Sequence, residues 1–468
     1  MKLSSEQQQI CLDAVRQIVG DRHVLTGDSI PETHCTDWFK TATVTPLALV
    51  RPGSPEEVSK VMAVCHQFNQ PVTPQGGMTG LVAGATPEDS DVALSLARLS
   101  GVEEVDEDAC TMTVLAGTPL QTAQEAAKAA GLLLAVDLGA RGSCQVGGNV
   151  ATNAGGNRVI RYGMFRDQVL GLEAVLADGT VVGSQNKMLK NNAGYDLKHL
   201  FIGSEGTLGI VTRVVLRLHP MPKSCETALC TAADYQMVVR FLNHAKECLG
   251  GTLSAFEVMW PDFHELVADR VLKSRSPISP EGLQILIEME GSDAGHDASM
   301  FSAMLEQAFE QGLLIDASIA QSLKDRDAFW RLRDSVSEFP LMWSPYCGYD
   351  VSLPIGDIGH FVDALQQQLH ARFAHCEHVH FGHIGDSNLH IGVHIDSRWG
   401  AFPEADIDRC VYDLLKKYGG SVSAEHGIGS HKRSYLGHSR TTQEIDLMRT
   451  LKVAIDPKNL LNRGKVLA

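Results

Sequence analysis

No stretch of this 468-residue sequence approaches 18 consecutive apolar residues, so nothing in it reads as a membrane-spanning helix. The segment Met1 to Val15 lacks a basic stretch followed by an apolar one and does not read as a secretory signal. Positive charge is in deficit. Forty Lys and Arg against 56 Asp and Glu give a formal charge of −16, which repels phosphate backbones and anionic headgroups and argues against nucleic acid as a partner. The eleven cysteines are an odd number without a CxxC pair, a usage that suits buried thiols in a reducing compartment rather than a disulfide framework. Two nucleotide fingerprints, GxGxxG and GxxxxGK[ST], are missing, which removes support for a Rossmann NAD site and for phosphoryl transfer. These absences leave a soluble, cytoplasmic protein as the expectation.

What is present is globular: 44% apolar and 21% charged residues, in a length that domains of ~150 residues divide into two or three. A helical lead-in precedes a short apolar strand at Leu47 to Val50. Ser54, Pro55 and Glu57 then spell a helix start with a capping serine, proline in the first turn and a glutamate closing a capping box. Strands are expected at Val92 to Leu96, Thr111 to Leu115, Leu170 to Leu176 and, by alternation, Ile210 to Leu218. Beyond Pro220 and Pro222 the text changes to amphipathic helices (Ala232 to Leu249, Met300 to Gly312, Ile358 to Phe373) and isolated strands (Leu283 to Glu288, Val379 to His383). The pattern predicts an α+β protein with domains 1–220 and 221–415. A C-terminal segment, 416–468, has its own Gly-rich loop and a helix from Thr442 to Ile455, and is expected to pack back onto the rest.

Glycine concentrates with small polar residues in four loops: PQGGMTGLVAG (Pro74 to Gly84), DLGARGSCQVGGNVATNAGG (Asp137 to Gly156), KNNAGYD (Lys190 to Asp196) and GSEGTLG (Gly203 to Gly209). Glycine lets backbone N–H groups approach a ligand closely, and four such loops together point to a large phosphate-bearing ligand. These loops, with RYG at Arg161 to Gly163 and LKNNAGYDLKHLFIGSEGTLGIVT at Leu189 to Thr212, resemble the FAD-binding domain of the vanillyl-alcohol oxidase and p-cresol methylhydroxylase flavoproteins. Within that superfamily the chain resembles the FAD-linked D-2-hydroxyacid dehydrogenases, over a span from about residue 42 to the C-terminus. The resemblance implies a two-subdomain FAD domain and an α+β substrate cap. It also implies that Gly76, Gly77, Thr79 and Gly80 hold the pyrophosphate, that Gly142, Ser143, Gly147, Gly148, Asn149, Thr152 and Asn153 follow the diphosphate and flavin, and that Gly206, Gly209 and Ile210 close the adenine and ribitol side. Met78 stands in the first loop, with no histidine or cysteine for covalent attachment, so dissociable FAD is expected.

Six of the 19 histidines fall between His375 and His394. The run HVHFGHIGDSNLHIGVHI reads as two strands around a turn at Gly385 to Asn388; if that turn is symmetric, His383 directly opposes His390 at a spacing that allows both to share one metal ion. Two histidines need a third ligand, and Glu425 in SAEHGIG offers one. The dehydrogenases that this chain resembles have HxGDGNLH and EHG motifs in these roles, which implies a divalent metal, zinc being the first choice, on His383, His390 and Glu425. Ser387 replaces the glycine usual in that turn. The same resemblance makes His426 the general base, an imidazole of ordinary pKa ~6.5 being suited to accept the hydroxyl proton of a 2-hydroxy acid while hydride leaves C2 for flavin N5.

Arg333 in FWRLRDSVSE matches the family's WxxR position and is expected to fix the substrate carboxylate, with Ser337 one turn on and Arg331 as rival. D-2-Hydroxyglutarate dehydrogenases tend to have lysine before the Tyr349-Asp350 pair and asparagine two residues after the histidine that corresponds to His390; here Gly348 and Gly392 stand there. A second carboxylate then finds no partner, so D-lactate or another D-2-hydroxy acid with a small or apolar side chain is the expected substrate, with D-2-hydroxyglutarate the alternative. The electron acceptor is open among an electron-transfer flavoprotein, a quinone and a cytochrome, and so is the choice between monomer and homodimer. Rival readings are a metal-dependent hydrolase on His383, His390 and Glu425, which protein without absorbance near 450 nm favours, and a flavin-binding subunit without turnover, which the retained histidines oppose.

Overall fold

A computed structural model describes residues 3–273, 276–396, 398 and 400–467. The chain forms two compact units: Met1–Gly156, Gly163–Met221 and Glu425–Ala468 in the first, Asn157–Tyr162 and Pro222–Ala424 in the second. Among the described residues no helix is long and apolar enough to cross a membrane.

In the first unit, Ser4 caps the helix Ser5–Val19, which packs on the helix Pro55–Phe68. The capping serine of that second helix behaves as its sequence predicts, Ser54 Oγ accepting from Glu57 N at 3.2 Å. The expected box does not close: the Glu57 carboxylate reaches Gly53 N, at 2.6 Å, one residue earlier. Parallel strands Ala48–Val50, Val92–Ser95 and Val72–Gln75, with Val24–Leu25 antiparallel at one edge, make a four-stranded sheet. A second, antiparallel sheet has the order Val102–Asp106, Thr111–Leu115, Ile210–Arg217, Val169–Val175, Val181–Ser184. The strand Ile210–Arg217 does not alternate in burial: all but Arg213 and Arg217 are buried, because the helices Pro55–Phe68 and Val146–Thr152 pack over this central strand. Of the C-terminal segment, the part from Glu425 on belongs to this unit and residues 416–424 to the second, with Val72 N donating to Leu460 O and Asn462 N to Val72 O, both at 2.8 Å.

The second unit is built on one antiparallel sheet of seven strands, in the order Asp316–Ile319, Ser224–Ala232, Leu283–Gly291, Leu253–Met259, Cys376–Gly382, Asn388–Ile395, Cys347–Ser352. The helix Leu323–Asp334 packs on this sheet through Phe329 and Leu332, in a core with Leu229, Leu286, Met259 and Phe381. The strand Leu253–Met259 is buried along its whole length and Leu283–Gly291 along all but Glu290, so a charged residue at a buried position must find its partner inside.

Candidate active site

The first unit contains a cavity of about 350 Å³. Among its walls are Gly76, Gly77, Thr79, Gly80, Gly147, Gly148, Asn149, Thr152, Gly206, Gly209 and Ile210, all named from the sequence as cofactor residues. Gly77 shows why glycine is required: a Cβ there collides with the carbonyl oxygen of Ser143 and comes within 2.8 Å of Cys144 Cα. The first two loops therefore touch backbone to backbone. Gly142, Ser143 and Asn153 are outside the wall; the first two are exposed, and Asn153 ends the helix Val146–Thr152 with its Oδ1 accepting from Arg166 N at 2.9 Å.

Two of the wall residues that were not anticipated carry unpaired groups. The amide oxygens of Gln145 and Asn462 are buried and have no hydrogen-bond partner among the described residues. Buried acceptors want donors, and a ligand bearing ring or amino N–H groups, as both the adenine and the flavin of FAD do, fits them. Gln145 lies inside a loop already singled out, but Asn462 carried no signal, since only the fold brings the tail to Val72.

Glu425 and His426 also line this cavity. Glu425 Oε1 accepts from Gly156 N at 2.7 Å, and Gly155 beside it leaves the room, since a Cβ there collides with the same carboxylate. The loop that follows is held by Glu205, a residue the sequence reading passed over within GSEGTLG. Its buried carboxylate accepts from Ile428 N at 2.7 Å and Gly429 N at 2.8 Å, and burial pushes its pKa above the usual carboxylate range.

In the second unit the expected hairpin is present, with a different register. Phe381, not His383, opposes His390, and His383 O accepts from Asn388 N at 3.1 Å. The slip of two residues follows from the connection, a 3₁₀ turn at Ile384–Asp386 closed by Ser387 in a left-handed conformation, φ +76°. An even slip keeps side chains on the same face, so His383 and His390 meet as diagonal neighbours, ring centroids 5.3 Å apart.

Arg333 is buried beside them, whereas its rival Arg331 and the nearby Ser337 are exposed. Arg333 Nε donates to Glu257 Oε2 at 2.8 Å, and Glu257 Oε1 lies 2.6 Å from His383 Nδ1. Arg333 Nη2 is 3.2 Å from His383 Nε2. A guanidinium only donates, so a hydrogen bond from Arg333 to Nε2 goes with the tautomer whose proton is on Nδ1, toward Glu257. Burial pushes the Glu257 carboxyl up, but His383 and Arg333 outweigh it and hold it down to about 2. Glu257 was missed, although a single carboxylate inside the apolar run LSAFEVM is the mark of such a group. On the neighbouring strand the buried Asp350 stands opposite His390 and accepts from Asn388 Nδ2 at 2.8 Å and Ala424 N at 3.1 Å.

Gly348 and Gly392 are paired across the same two strands, and the Tyr346 ring lies beside both, with Gly348 still exposed. A Cβ would lie 3.0 Å from Tyr346 Cε1 on Gly348 and 2.9 Å from Tyr346 Cε2 on Gly392.

The glycine-walled cavity of the first unit, with its unpaired amide acceptors, suits a large ligand of the FAD kind, and the family comparisons make the chain an FAD-binding oxidoreductase. Residues 46–184 match the family FAD binding domain, and residues 221–466 match FAD linked oxidases, C-terminal domain. The fold is shared with p-cresol methylhydroxylase, at TM-score 0.80 and 16% identity over 99% of this chain and 97% of that one, and with 4-ethylphenol oxidase from Gulosibacter chungangensis, at 0.76 and 18% over 99% and 98%. The mitochondrial D-2-hydroxyglutarate dehydrogenase of Bos taurus is 38% identical over 97% of this chain and 83% of its own length. The D-2-hydroxyglutarate dehydrogenase of Xanthomonas citri is 37% identical over 97% and 96%, and a putative D-lactate dehydrogenase of Schizosaccharomyces pombe is 34% identical over 91% and 82%. The chain belongs to the FAD-linked D-2-hydroxyacid dehydrogenases, and it is an FAD-dependent enzyme of that class.

Proposed function

We propose that this enzyme oxidises a D-2-hydroxy acid whose side chain is small or apolar, D-lactate or a larger apolar homologue. The observation that carries the reading is the pair Gly348 and Gly392 beside the Tyr346 ring. That surface is aromatic and backbone, two residues along the strand from His390. A second carboxylate brought there loses water without gaining a cation, a cost of at least a few kcal/mol or ~10²-fold in kcat/KM. A second reading, D-2-hydroxyglutarate, is favoured by the names of the bovine and Xanthomonas relatives.

The chain's own groups divide the work as follows. His383 Nε2 and His390 are proposed to hold a divalent metal, zinc first; Glu425 as third ligand and His426 as general base are proposed from the EHG loop of the sequence. A metal held there would supply a positive charge that makes the substrate hydroxyl easier to deprotonate, and FAD in the glycine-walled cavity would supply the acceptor for the hydride from C2. Arg333 Nη2 now donates toward His383 Nε2, so a cation on that nitrogen requires Nη2 to turn to another acceptor. The substrate carboxylate is the acceptor we propose. Met78, which lines the cavity, offers no covalent attachment to flavin. A cytoplasmic location is proposed on the eleven free thiols. An electron-transfer flavoprotein, a quinone or a cytochrome is proposed as acceptor.

Anaerobic mixing with D- and L-2-hydroxy acids, followed by the loss of flavin absorbance and by steady-state kcat/KM, tests the substrate. D-Lactate or an apolar homologue should lead; a clear preference for D-2-hydroxyglutarate overturns the reading. Chelation should stop flavin reduction while flavin stays bound, and acid precipitation should release FAD into the supernatant. His390→Ala should lose the metal, whereas His426→Ala should keep it and lose roughly 10²-fold or more in turnover.

A further inference from the structure

Alternate residues of the strand Cys376–Gly382 point to opposite faces of the sheet. Phe381 shares a face with its register partner His390, so His378 and His380 point to the other. There they meet Asp262, in the first turn of the helix Pro261–Leu266. Asp262 Oδ2 is 2.6 Å from His380 Nδ1 and 3.2 Å from His378 Nδ1. The other ring nitrogen of His378, Nε2, lies 3.2 Å from Nε2 of His370, in the last turn of the helix Ile358–Arg372. The second carboxylate oxygen, Oδ1, accepts from His380 N at 3.2 Å, which anchors the carboxylate by one oxygen and turns the other toward the imidazoles.

We propose that Asp262, His378 and His380 form a second divalent-metal site, distinct from the His383 and His390 pair and on the opposite face of the sheet. The ligand it would take is a transition ion of the zinc, cobalt or nickel class. Two imidazoles and a carboxylate select such ions over magnesium or calcium, which prefer oxygen alone. The three ligating atoms lie within 4.8 Å of one another. Two ligand atoms on one tetrahedral zinc are ~3.4 Å apart; Asp262 and His378 stand near that at 3.2 Å, while Asp262 Oδ2 and His380 Nδ1, hydrogen-bonded at 2.6 Å, have to part by a side-chain rotation to admit the ion. His370 has the place of an outer partner that fixes the His378 ring through its second nitrogen, a place that carboxylates, carbonyls or waters take around most metal-bound histidines. Access is open from one side: His370 is exposed and Asp262 and His378 are half-buried, while His380 is buried.

The site does not rest on the proposed substrate or on the active-site metal, and zinc counting separates them. Flavin-loaded protein is stripped with a chelator, dialysed against Zn²⁺ and analysed for bound zinc per chain. His378→Gln and Asp262→Asn should each bind one zinc fewer than the native chain, keep their flavin, and oxidise substrate within about twofold of native. His390→Ala should lose a different equivalent, so that the double variant His378→Gln/His390→Ala loses both. The difference between native and His378→Gln reads this site alone, whatever the other site holds. Two folded variants, judged by circular dichroism, that bind as much zinc as the native chain overturn the proposal, as does a native chain whose whole zinc content is lost in His390→Ala.

Discussion

The cavity of the first unit is walled largely by backbone brought close by glycine, whereas the polar groups of the second unit are side chains buried in a sheet that is otherwise apolar. The two constructions fail differently. A glycine wall is spoiled by one added methyl group, because the neighbour is a main-chain oxygen that cannot step aside. A buried side-chain cluster is spoiled by one removed charge, because its partner is left alone in low dielectric. The comparison can be broken at either end. Gly77→Ala should have the largest effect of the variants considered: with Ser143 O and Cys144 Cα against the new atom, the first two loops must separate, and the purified protein should lose its flavin absorbance while its far-ultraviolet circular dichroism changes little. A Gly77→Ala protein that retains flavin would show that the loops yield.

Glu257→Gln is the corresponding test in the second unit. It keeps the shape and removes the charge that faces both Arg333 and His383. Arg333 is 7% exposed, so its guanidinium stays buried without a counter-charge, and unfolding by urea should show a loss of about 3–5 kcal/mol. Loss of less than about 1 kcal/mol would mean that water enters and the cluster is less dry than its burial implies.

The same difference decides what the sequence reveals. Glycine loops are contiguous words, so most of the cavity wall lies within them, and Gly142, Ser143 and Asn153, which stand outside the wall, are neighbours of wall positions. The face of the histidine hairpin was legible because strand alternation has period two, and an even slip preserves it. Its register was not, because that depended on a 3₁₀ turn with a left-handed serine that no residue pattern announced. Glu257 lies 126 residues from His383 and 76 from Arg333, and Asn462 reaches the cavity only after the tail has paired with Val72. Partners that distant are set by strand order rather than by local pattern. Only the improbable glutamates of the buried strands, Glu257 and Glu288, hint that such partners exist.

Glu288 offers a smaller effect with a definite sign. Burial raises its pKa, but the charge of Arg158 and hydrogen bonds from Trp330 Nε1 at 2.8 Å and Thr227 Oγ1 at 2.7 Å outweigh that and hold it below the ordinary carboxylate value. A carboxyl depressed in the folded state contributes stability that is complete above its unfolded pKa of ~4.3 and is lost as pH falls toward the folded value. Glu288→Gln should therefore cost about 2–4 kcal/mol near neutral pH, and the gap between it and the native chain should close under acid. A gap that is constant across the whole acid range would mean that the carboxyl is neutral in the native chain.

The smallest effect sharpens the comparison by reversing its sign. Ser387 closes the hairpin turn at φ +76°, ψ 12°, a left-handed conformation that costs a residue with a Cβ ~1–2 kcal/mol and costs glycine nothing. Glycine loses more backbone freedom on folding, which returns ~0.5–1 kcal/mol of that gain. Ser387→Gly should consequently stabilise the chain by a net amount under about 1 kcal/mol, seen as a higher urea midpoint with an unchanged slope, and should leave the 5.3 Å approach of His383 and His390 intact. In the first unit an added Cβ at Gly77 breaks the cavity, while here a lost Cβ relieves the turn. A midpoint that falls would mean that the serine hydroxyl contributes more than the backbone conformation costs.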